Sequence, residues 1–398
     1  MKLCWVIPDD RGGGIASVAL SCCRQAARDG HDATLLMALS PSGHLDEHVD
    51  DFTLDSLEIE PQCPEAPRRL HEWLESHPQD VLFFNGCSEV EPAIPHVPQD
   101  TYALSVIHDT APKYWHKTVE HECALDGIVA VSETVACQFR DKLDVPGNLH
   151  VCHNGTVFPP EPIVEDDRSE ALLFLGGSDL QKGAEDVLEL WSRLVNVGFA
   201  GELHWLGTLE ESWEQKIQSL PGSERVHTLG RVPRSEVFRR AARSKALLML
   251  SRNEPFGMAT VEAMGMGCVP VAWDIATGTK EILNAGKTGL LAPLGDYDAL
   301  ANQVLTALGR QESIVEEIQR TARTRFSEQA MWDRYAKMLE EVTSSSPVER
   351  PRAGTCPPPY EPPTRYFQLL PPSIRNAIRS WIARSPRLNY WLQNLRGI

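Results

Sequence analysis

Residues 3–39, LCWVIPDDRGGGIASVALSCCRQAARDGHDATLLMAL, decide the fold of this chain. The stretch begins and ends with continuous apolar runs, and between them lies an amphipathic segment from Ile15 to Arg28. An apolar run, an amphipathic helix and a second apolar run are typical of a βαβ unit, in which helices cover both faces of a parallel sheet. The stretch therefore predicts a doubly wound α/β sheet.

The same alternation continues along the chain, stops once, and then begins again. It stops at residues 157–170, VFPPEPIVEDDRSE, which are rich in Pro and acidic residues. A chain of 398 residues is also too long for one ordinary domain. We predict an N-terminal Rossmann-like domain, 1–160, and a C-terminal one, 161–326. The predicted strands are 3–7, 33–39, 80–84, 102–107 and 127–132 in the first domain, and 171–176, 202–207, 225–230, 246–251 and 268–273 in the second.

The last part of the sequence departs from this α/β rhythm. Residues 327–343 are predicted to form a helix that crosses back to the N-terminal domain, and 344–363 a Pro-rich linker. Residues 364–398 predict a basic amphipathic helical tail with Trp381 on its apolar face. Such a tail suits an anionic membrane surface, or it docks on the acidic body of the chain or on a protein partner.

Composition narrows the class of protein. The formal net charge of −17 argues against nucleic-acid binding. The first residues turn acidic before a long apolar stretch develops, so we expect no signal peptide and a cytoplasmic protein, peripheral at the inner membrane face if the tail binds there. No pair of the ten cysteines has zinc-knuckle spacing, and we predict no metal site.

Glycines follow several predicted strands, where a bare backbone allows close approach to a phosphate. Gly13 and Gly14 lie between the first strand and the first helix, and either bind an anion at the helix N-terminus or form a tight turn. In the second domain, Gly176 ends the predicted strand 171–176 and Gly177 follows it. Lys182 then places a flexible cation within reach of a diphosphate.

The strongest signal is residues 254–262, EPFGMATVE, directly after a predicted strand. Glu254 precedes a helix, and Glu262 lies two turns into it, where it suits ribose hydroxyls. The amides of Phe256, Gly257 and Met258 are then expected to face phosphates. His108, beside Asp109 at another strand end, is a candidate for positioning a substrate hydroxyl. Each residue alone is more often structural than functional.

Taken in order, these motifs resemble the retaining GT-B glycosyltransferases often called family 4, over nearly all of residues 1–343. The resemblance implies two Rossmann-like domains that face each other across a cleft and a sugar transferred from a nucleotide-sugar to an acceptor hydroxyl with retention. It is carried by GlyGlyGly at 12–14, His108, ValAlaValSer at 129–132, HisAsnGlyThr at 153–156, LysGly at 182–183, LeuGlyArgVal at 229–232, GluProPheGly at 254–257, GluAlaMetGlyMetGlyCysValProVal at 262–271, ThrGlyThrLysGluIle at 277–282 and LysThrGlyLeuLeu at 287–291.

The resemblance also implies the role of each site residue. Glu262 would bind the ribose, Lys182 the diphosphate and Glu254 the hydroxyls of the donor sugar, while His108 would lie near the reacting carbon. Arg231 and Val232 belong to the implied donor site as well. No metal or cofactor is implied, because the nucleotide-sugar is a co-substrate, and the acceptor would be a glycan or a lipid-linked sugar in cell-surface polysaccharide or glycolipid synthesis.

One departure from the family pattern concerns the leaving group. The family usually carries Arg beside the glycine that precedes the diphosphate Lys, and this chain has Gly177 after Gly176. Arg231 and Arg252 are candidate substitutes for the missing cation. The departure leaves open a second hypothesis, a catalytically silent GT-B protein that binds a nucleotide-sugar or glycan as a scaffold.

Overall fold

The computed structural model describes residues 1–10, 13–41, 51–111, 114–144, 146–159 and 169–361. The chain divides into two compact units. Among the described residues, unit 1 contains those of 1–156 together with 328–361, and unit 2 contains those of 157–327. The predicted tail, residues 364–398, lies outside the described residues.

Unit 1 is built around a parallel sheet of seven strands. In chain order its elements are β1 (Lys2–Ile7), α1 (Gly14–Arg28), β2 (Asp32–Leu39), β3 (Thr53–Ile59), α2 (Ala66–Ser76), β4 (Val81–Phe84), β5 (Tyr102–Ile107), α3 (His116–Glu120), β6 (Gly127–Ala130), α4 (Glu133–Phe139) and β7 (Leu149–Val151). The strand order is β3-β2-β1-β4-β5-β6-β7, so the chain winds outward from β1 and then returns to β4 on the other side of β1.

Unit 2 repeats this winding with six parallel strands in the order β10-β9-β8-β11-β12-β13, which confirms the predicted pair of doubly wound α/β sheets. Its elements are β8 (Ser169–Leu175), α5 (Ala184–Asn196), β9 (Glu202–Leu206), α6 (Glu211–Gln218), β10 (Val226–Gly230), α7 (Arg234–Arg243), β11 (Ser244–Met249), α8 (Met258–Gly265), β12 (Val269–Trp273), α9 (Gly278–Ile282), β13 (Leu290–Ala292), α10 (Tyr297–Leu308) and α11 (Glu312–Arg325).

Three strands of the structure were not predicted from the sequence, and all three lie at sheet edges: β3, β7 and β13. β3 has the sequence TLDSLEI and only one fully buried residue, Ile59. β7 and β13 have three residues each. A short or half-exposed edge strand lacks the continuous apolar run that marks a strand covered on both faces, so periodicity alone does not find it.

The helix after unit 2, α12 (Glu328–Thr343), belongs to unit 1. Its Trp332 and Tyr335 are buried, and their rings lie 6.4 Å from Trp5 and 6.0 Å from Phe83. At its start, Glu328 accepts hydrogen bonds from two Arg of α1, at 3.1 and 3.2 Å. A helix that follows unit 2 in the chain therefore packs against side chains of the unit 1 sheet.

The Pro-rich segment after α12 is packed on unit 1, whereas its composition predicts a linker. We call residues 344–361 the strap. The side chain of Arg350 is fully buried and pairs with the buried carboxylate of Asp126. It also donates to the carbonyls of Ala124 at 2.8 Å and Thr101 at 3.0 Å. Burial in this socket lowers the pKa of the Arg350 guanidinium, while Asp126 opposes the shift. The buried ion pair is one of the contacts that hold this Pro-rich segment on unit 1.

Replacing Arg350 with Ala is expected to lower the free energy of unfolding of unit 1 by about 3–5 kcal/mol, because the Asp126 carboxylate would remain buried without its partner. Urea denaturation followed by fluorescence would measure the loss. Arg352 is two residues away and exposed, so Arg352→Ala serves as the control and should change stability by less than about 0.5 kcal/mol. Equal effects of the two variants would contradict a specific role for the buried pair.

Within the described residues, the structure contains no helix that is both long enough and apolar enough to span a bilayer.

Candidate functional site

The strand order of unit 2 creates a crevice at the carboxyl ends of its strands. β8 is the first strand of the unit, and its neighbours β9 and β11 lead to the two halves of the sheet. The loops after β8 and β11 therefore diverge from adjacent strands. Ligands of open α/β sheets bind at such a switch point. The loop after β8 carries Gly176, Gly177 and Lys182, and the loop after β11 carries Glu254.

Lys182 and Glu254 meet across this switch point. The Lys182 Nζ donates to the Glu254 Oε2 at 2.8 Å, with 39% of the Lys side chain and 12% of the Glu side chain exposed. The two loops are also joined through their backbones, because the Arg252 N–H donates to the Gln181 carbonyl at 2.8 Å. The structure thus brings together two of the predicted site residues, a mobile cation and a largely covered carboxylate.

Glycines fix the approach of these loops. Gly183 has φ +85°, and a Cβ there would lie 2.7 Å from the Leu250 Cβ. Gly177 has φ +52°, and a Cβ there would lie 2.9 Å from the Thr208 nitrogen and closer still to its carbonyl oxygen. Trp205 in turn donates from Nε1 to the Gly177 carbonyl at 2.8 Å. This backbone therefore has no room for the Arg that the family usually carries at this position.

Restoring a side chain at Gly177 is expected to destabilise unit 2 and not to improve function. A left-handed residue with a Cβ costs about 1–2 kcal/mol, and overlap with Thr208 should add about 1–3 kcal/mol. Gly198 also has a positive φ but has open space around its Cα. Gly198→Ala therefore isolates the backbone cost, and Gly177→Ala and Gly177→Arg should both melt at lower temperature than this control. A Gly177→Arg variant as stable as wild type would contradict the steric argument.

The predicted phosphate-facing residues after Glu254 form the start of α8. The Phe256 side chain is buried, and its ring lies 5.8 Å from the Phe326 ring. Gly257 has φ +110° and precedes Met258, the first residue of the helix. The Glu254 carbonyl accepts from the Gly278 N–H at 2.7 Å, which holds this loop against the start of α9.

Glu262 lies further along α8 and borders a pocket of about 220 Å³ at the carboxyl ends of β8, β9 and β10. Its carboxylate accepts from Arg234, the first residue of α7, at 2.7 and 3.0 Å. The walls are mostly apolar, with Arg231 and Glu262 as the charged residues among those lining it. The lining residues are Leu175, Leu206, Gly207, Gly230, Arg231, Val232, Val237 and Glu262.

Arg252, one candidate substitute for the missing Arg, forms an ion pair with Asp186. Both of its terminal nitrogens bind the carboxylate of Asp186, which is 2% exposed. Asp186 also accepts from Trp273 Nε1 at 3.0 Å and from the Tyr297 hydroxyl at 2.7 Å. Arg231 is exposed and lines the pocket. Of the two candidates, Arg231 is therefore the one at the pocket.

The remaining predicted site residues lie in unit 1. Gly13 and Gly14 form the exposed N-terminus of α1, and Gly13 has φ +127°. His108 follows β5, and its Nε2 lies 3.0 Å from Oδ1 of the buried Asn85, which follows β4. Asn85 uses its own Nδ2 to donate to the Phe83 carbonyl at 3.1 Å, so its Oδ1 is the atom that accepts from His108. A neutral His108 therefore carries its proton on Nε2 and a lone pair on Nδ1.

Desolvation lowers the pKa of His108, a half-buried residue, to about 4. The imidazole is therefore neutral at pH 7. Since an unfolded His has a pKa near 6.5, only the unfolded chain binds this proton between about pH 6.5 and pH 4. The free energy of unfolding therefore has its full value, as far as His108 is concerned, above about pH 6.5, and it falls as the pH drops from about 6.5 towards 4.

His108→Gln keeps a donor for Asn85 and removes the titration. Between pH 7 and pH 5, wild type is expected to lose about 1–2 kcal/mol more unfolding free energy than this variant, as measured by urea denaturation at each pH. If the unfolding free energies of the two proteins fall in parallel with pH, the pKa of His108 is not lowered in the folded protein.

No group of three or more His, Cys, Asp or Glu side chains suited to a metal ion occurs in the part of the chain that the structure describes.

Two family models match the chain in succession. Residues 12–157 match Glycosyltransferase Family 4, and residues 160–330 match Glycosyl transferases group 1. The chain belongs to this glycosyltransferase family. The two matches follow unit 1 and unit 2, and the boundary between the models falls where the chain enters unit 2.

Individual relatives of this chain are distant or match only in part. N-acetyl-alpha-D-glucosaminyl L-malate synthase of Bacillus anthracis is 31% identical over 133 residues, which are 33% of this chain and 32% of that enzyme. Exopolysaccharide phosphotransferase of Streptomyces coelicolor is 30% identical over 132 residues, 32% of this chain and 14% of that protein. The chain thus spans less than a third of the length of either curated relative.

Solved structures resemble the whole α/β body. The structure of a mutant of S. aureus TarM in complex with fondaparinux, alpha-GlcNAc-glycerol and UDP has a TM-score of 0.71 and covers 85% of this chain and 100% of that chain, at 10% identity. An identity this low shows the fold alone. The fold of the chain is GT-B.

Sequence reasoning missed three residues that hold candidate site residues in place: Arg234 and Asp186 in unit 2, and Asn85 in unit 1. Asn85 could have been found, because AsnGly directly after the apolar run VLFF gives the same strand-end signal as His108. Arg234 and Asp186 lie in the first turns of helices, where a charged residue is ordinary, and nothing in the local pattern marks them. Their partners are 28 and 66 residues away in sequence.

Proposed function

We propose that this protein transfers a hexosyl group from a UDP-sugar to a hydroxyl of a glycan or lipid-linked acceptor, with retention of anomeric configuration. The observation that carries the proposal is the pairing at the carboxyl ends of the unit 2 strands. Each carboxylate of the 254–262 motif holds a cation there, and Glu262 also borders the mostly apolar pocket. UDP in the related TarM structure and the glucosaminyl group in the name of the Bacillus relative favour a UDP-linked amino sugar as donor.

In the proposed complex the base fills the pocket beside Val232, and Glu262 accepts hydrogen bonds from the ribose hydroxyls. Lys182 leaves Glu254 for the diphosphate, which carries more negative charge than a carboxylate. Glu254 then accepts from hydroxyls of the donor sugar. Because Lys182 is partly exposed on a long flexible stem, this exchange of partners needs no rearrangement of the backbone.

The chemical step is a substitution at the anomeric carbon. The bond from that carbon to the diphosphate oxygen breaks as the bond to the acceptor oxygen forms on the same face, and the acceptor proton passes to the departing diphosphate. Lys182 and Arg231 would stabilise the charge that develops on the leaving group. Neutral His108 would position a hydroxyl through its ring nitrogen. With cations in these places we propose that no divalent metal is needed, and EDTA should leave the rate unchanged.

The first test is thermal stabilisation by a panel of UDP-, GDP- and ADP-sugars without metal, beginning with UDP-N-acetylglucosamine. UDP-sugars alone should raise the melting temperature of wild type, and Glu262→Ala and Lys182→Ala should abolish the effect. The anomeric configuration of any product, measured by NMR, then tests retention. Stabilisation by GDP- or ADP-sugars in place of UDP-sugars would overturn the choice of base, and an inverted product would overturn retention.

A catalytically silent scaffold is the second candidate, and the closed space at Gly177 favours it, because this backbone excludes the usual leaving-group Arg. Slow hydrolysis of the donor, in which water replaces the acceptor, distinguishes the two candidates. A transferase should release UDP from its donor at a rate that Lys182→Ala lowers. A scaffold should bind the donor and release no UDP above the background without protein.

We propose further that the protein is cytoplasmic and binds anionic membrane through residues 364–398, whose sequence pairs a basic composition with an apolar face. Such binding would place the enzyme beside a lipid-linked acceptor. Full-length protein should sediment with vesicles containing anionic lipid, and deletion of 364–398 should abolish sedimentation. Unchanged binding after the deletion would overturn the membrane role.

A further inference from the structure

Arg234 holds Glu262 in a defined geometry before any ligand arrives. Its Nε and Nη2 both approach the Glu262 Oε1, at 3.0 and 2.7 Å. The guanidinium also lies over the ring of Phe238, 5.3 Å from the ring centroid. Phe238 is buried, so the surface beneath Arg234 is fixed. Contacts to a carboxylate and to an aromatic face restrict both the position and the plane of the guanidinium.

Glu262 needs a cation for an electrostatic reason. Its side chain is only 15% exposed, so water screens its charge poorly. In the proposed complex a diphosphate with at least two negative charges binds on the same strand edge. An unpaired carboxylate there would repel the diphosphate while it binds the ribose. A guanidinium on the carboxylate offsets this repulsion and leaves the carboxylate able to accept from hydroxyl groups.

Arg234 is also placed apart from the predicted diphosphate cation. Arg234 begins α7, after β10 at one edge of the sheet, whereas Lys182 follows β8 at the switch point. Gly230 and Val232, which precede Arg234 closely in sequence, line the pocket that we assign to the base. Arg234 therefore lies on the nucleoside side of the site.

We propose that Arg234 is a positioning residue for the nucleoside: it orients Glu262 toward the ribose and neutralises it, and it makes no contact with the diphosphate. The inference rests on the proposed function. It assigns recognition of the nucleoside to an Arg–Glu pair joining α7 and α8, and recognition of the diphosphate to Lys182 and Arg231. The two groups should thus have separable effects on ligand affinity.

The test compares uridine with UDP by isothermal titration or ligand NMR. Arg234→Ala should weaken uridine about 10- to 100-fold and UDP by at least the same factor, because the unpaired Glu262 carboxylate then also repels the diphosphate. Arg234→Lys, which keeps the charge but not the forked geometry, should recover part of the loss. In turnover, Arg234→Ala should raise KM and leave kcat nearly unchanged, because the contact is made equally in ground and transition states. Arg239→Ala, on the same helix with its side chain 55% exposed, is the matched control and should bind like wild type.

A double-mutant cycle separates an effect through Glu262 from a direct contact with ligand. In a Glu262→Ala background, Arg234→Ala should have little further effect on uridine or UDP. A loss confined to UDP, or an undiminished loss in the Glu262→Ala background, would overturn the inference and assign Arg234 to the phosphates. Wild type that binds neither ligand would overturn the proposed donor, whereas wild type that binds both with Arg234→Ala unchanged would overturn only the role of Arg234.

Discussion

Replacing Asp186 with Ala is expected to lower the free energy of unfolding of unit 2 by about 3–5 kcal/mol, because the mutation leaves the guanidinium of Arg252 buried without its counter-charge. Asp186 accepts hydrogen bonds from three side chains, Arg252, Trp273 and Tyr297. Together they tie the starts of α5 and α10 to the strand ends that precede the site. Urea denaturation followed by Trp fluorescence would measure the change.

Two variants calibrate this prediction. Tyr297→Phe removes one donor and keeps the ion pair, so it should cost about 1 kcal/mol. Glu189→Ala, an exposed acid on the same helix, should cost less than about 0.5 kcal/mol. If Asp186→Ala is no more damaging than Tyr297→Phe, the buried ion pair does not organise unit 2. Asp186→Ala should also weaken donor binding under conditions where it remains folded, because Arg252 is two residues from Glu254.

Replacing Lys182 with Ala is expected to lower kcat about 100- to 1,000-fold, the usual effect of removing one charged group from a leaving-group site. Stability should fall by about 1–3 kcal/mol, because the Glu254 carboxylate is only 12% exposed and loses its counter-charge, so kcat is compared under conditions where the variant is folded. Initial rates of UDP release with saturating donor would measure kcat. Lys337→Ala, whose side chain is 78% exposed on α12, is the control for loss of a positive charge and should have wild-type kcat.

Glu254→Gln gives an independent check on the same pair. The amide keeps the shape of the side chain and can still accept from a sugar hydroxyl, but it no longer attracts Lys182. Donor affinity should therefore be kept better than in Lys182→Ala, while kcat falls. A Lys182→Ala protein with full kcat would mean that Arg231 or backbone amides carry the leaving-group charge.

Much of the fold follows from apolar runs alone, because a strand covered on both faces needs them. The run VLFF predicts β4 to within one residue, and YALSVI coincides with β5. Edge strands such as β3 lack this signal. The Pro-rich strap shows that composition alone is not sufficient: it favours a linker, yet long-range contacts, among them the ion pair of Arg350 and Asp126, hold the strap on unit 1. A contact between residues 224 apart in sequence leaves no local pattern.

The sequence likewise reveals only part of the candidate site. Lys182 and Glu254 come after strand ends and Glu262 belongs to a family motif, so all three can be predicted. Their geometry depends on partners that the sequence does not reveal, above all Arg234 and Asp186. The exclusion of Arg at position 177 likewise depends on the backbone of Thr208, which comes from the next βα unit. A motif therefore predicts the candidate binding residues, but it does not predict the residues that hold them in place.

The return of α12 to unit 1 has a consequence for biosynthesis. Unit 2 is continuous in the chain, so it can complete its fold as soon as Ser327 leaves the ribosome. Unit 1 cannot, because Trp332 and Tyr335 are made only after the whole of unit 2, a delay on the order of ten seconds or more at ordinary rates of translation. During that time the rings of Trp5 and Phe83 lack their native cover in the nascent chain. The half of the protein made first is thus the half that finishes folding last, and it is the half expected to need chaperone protection.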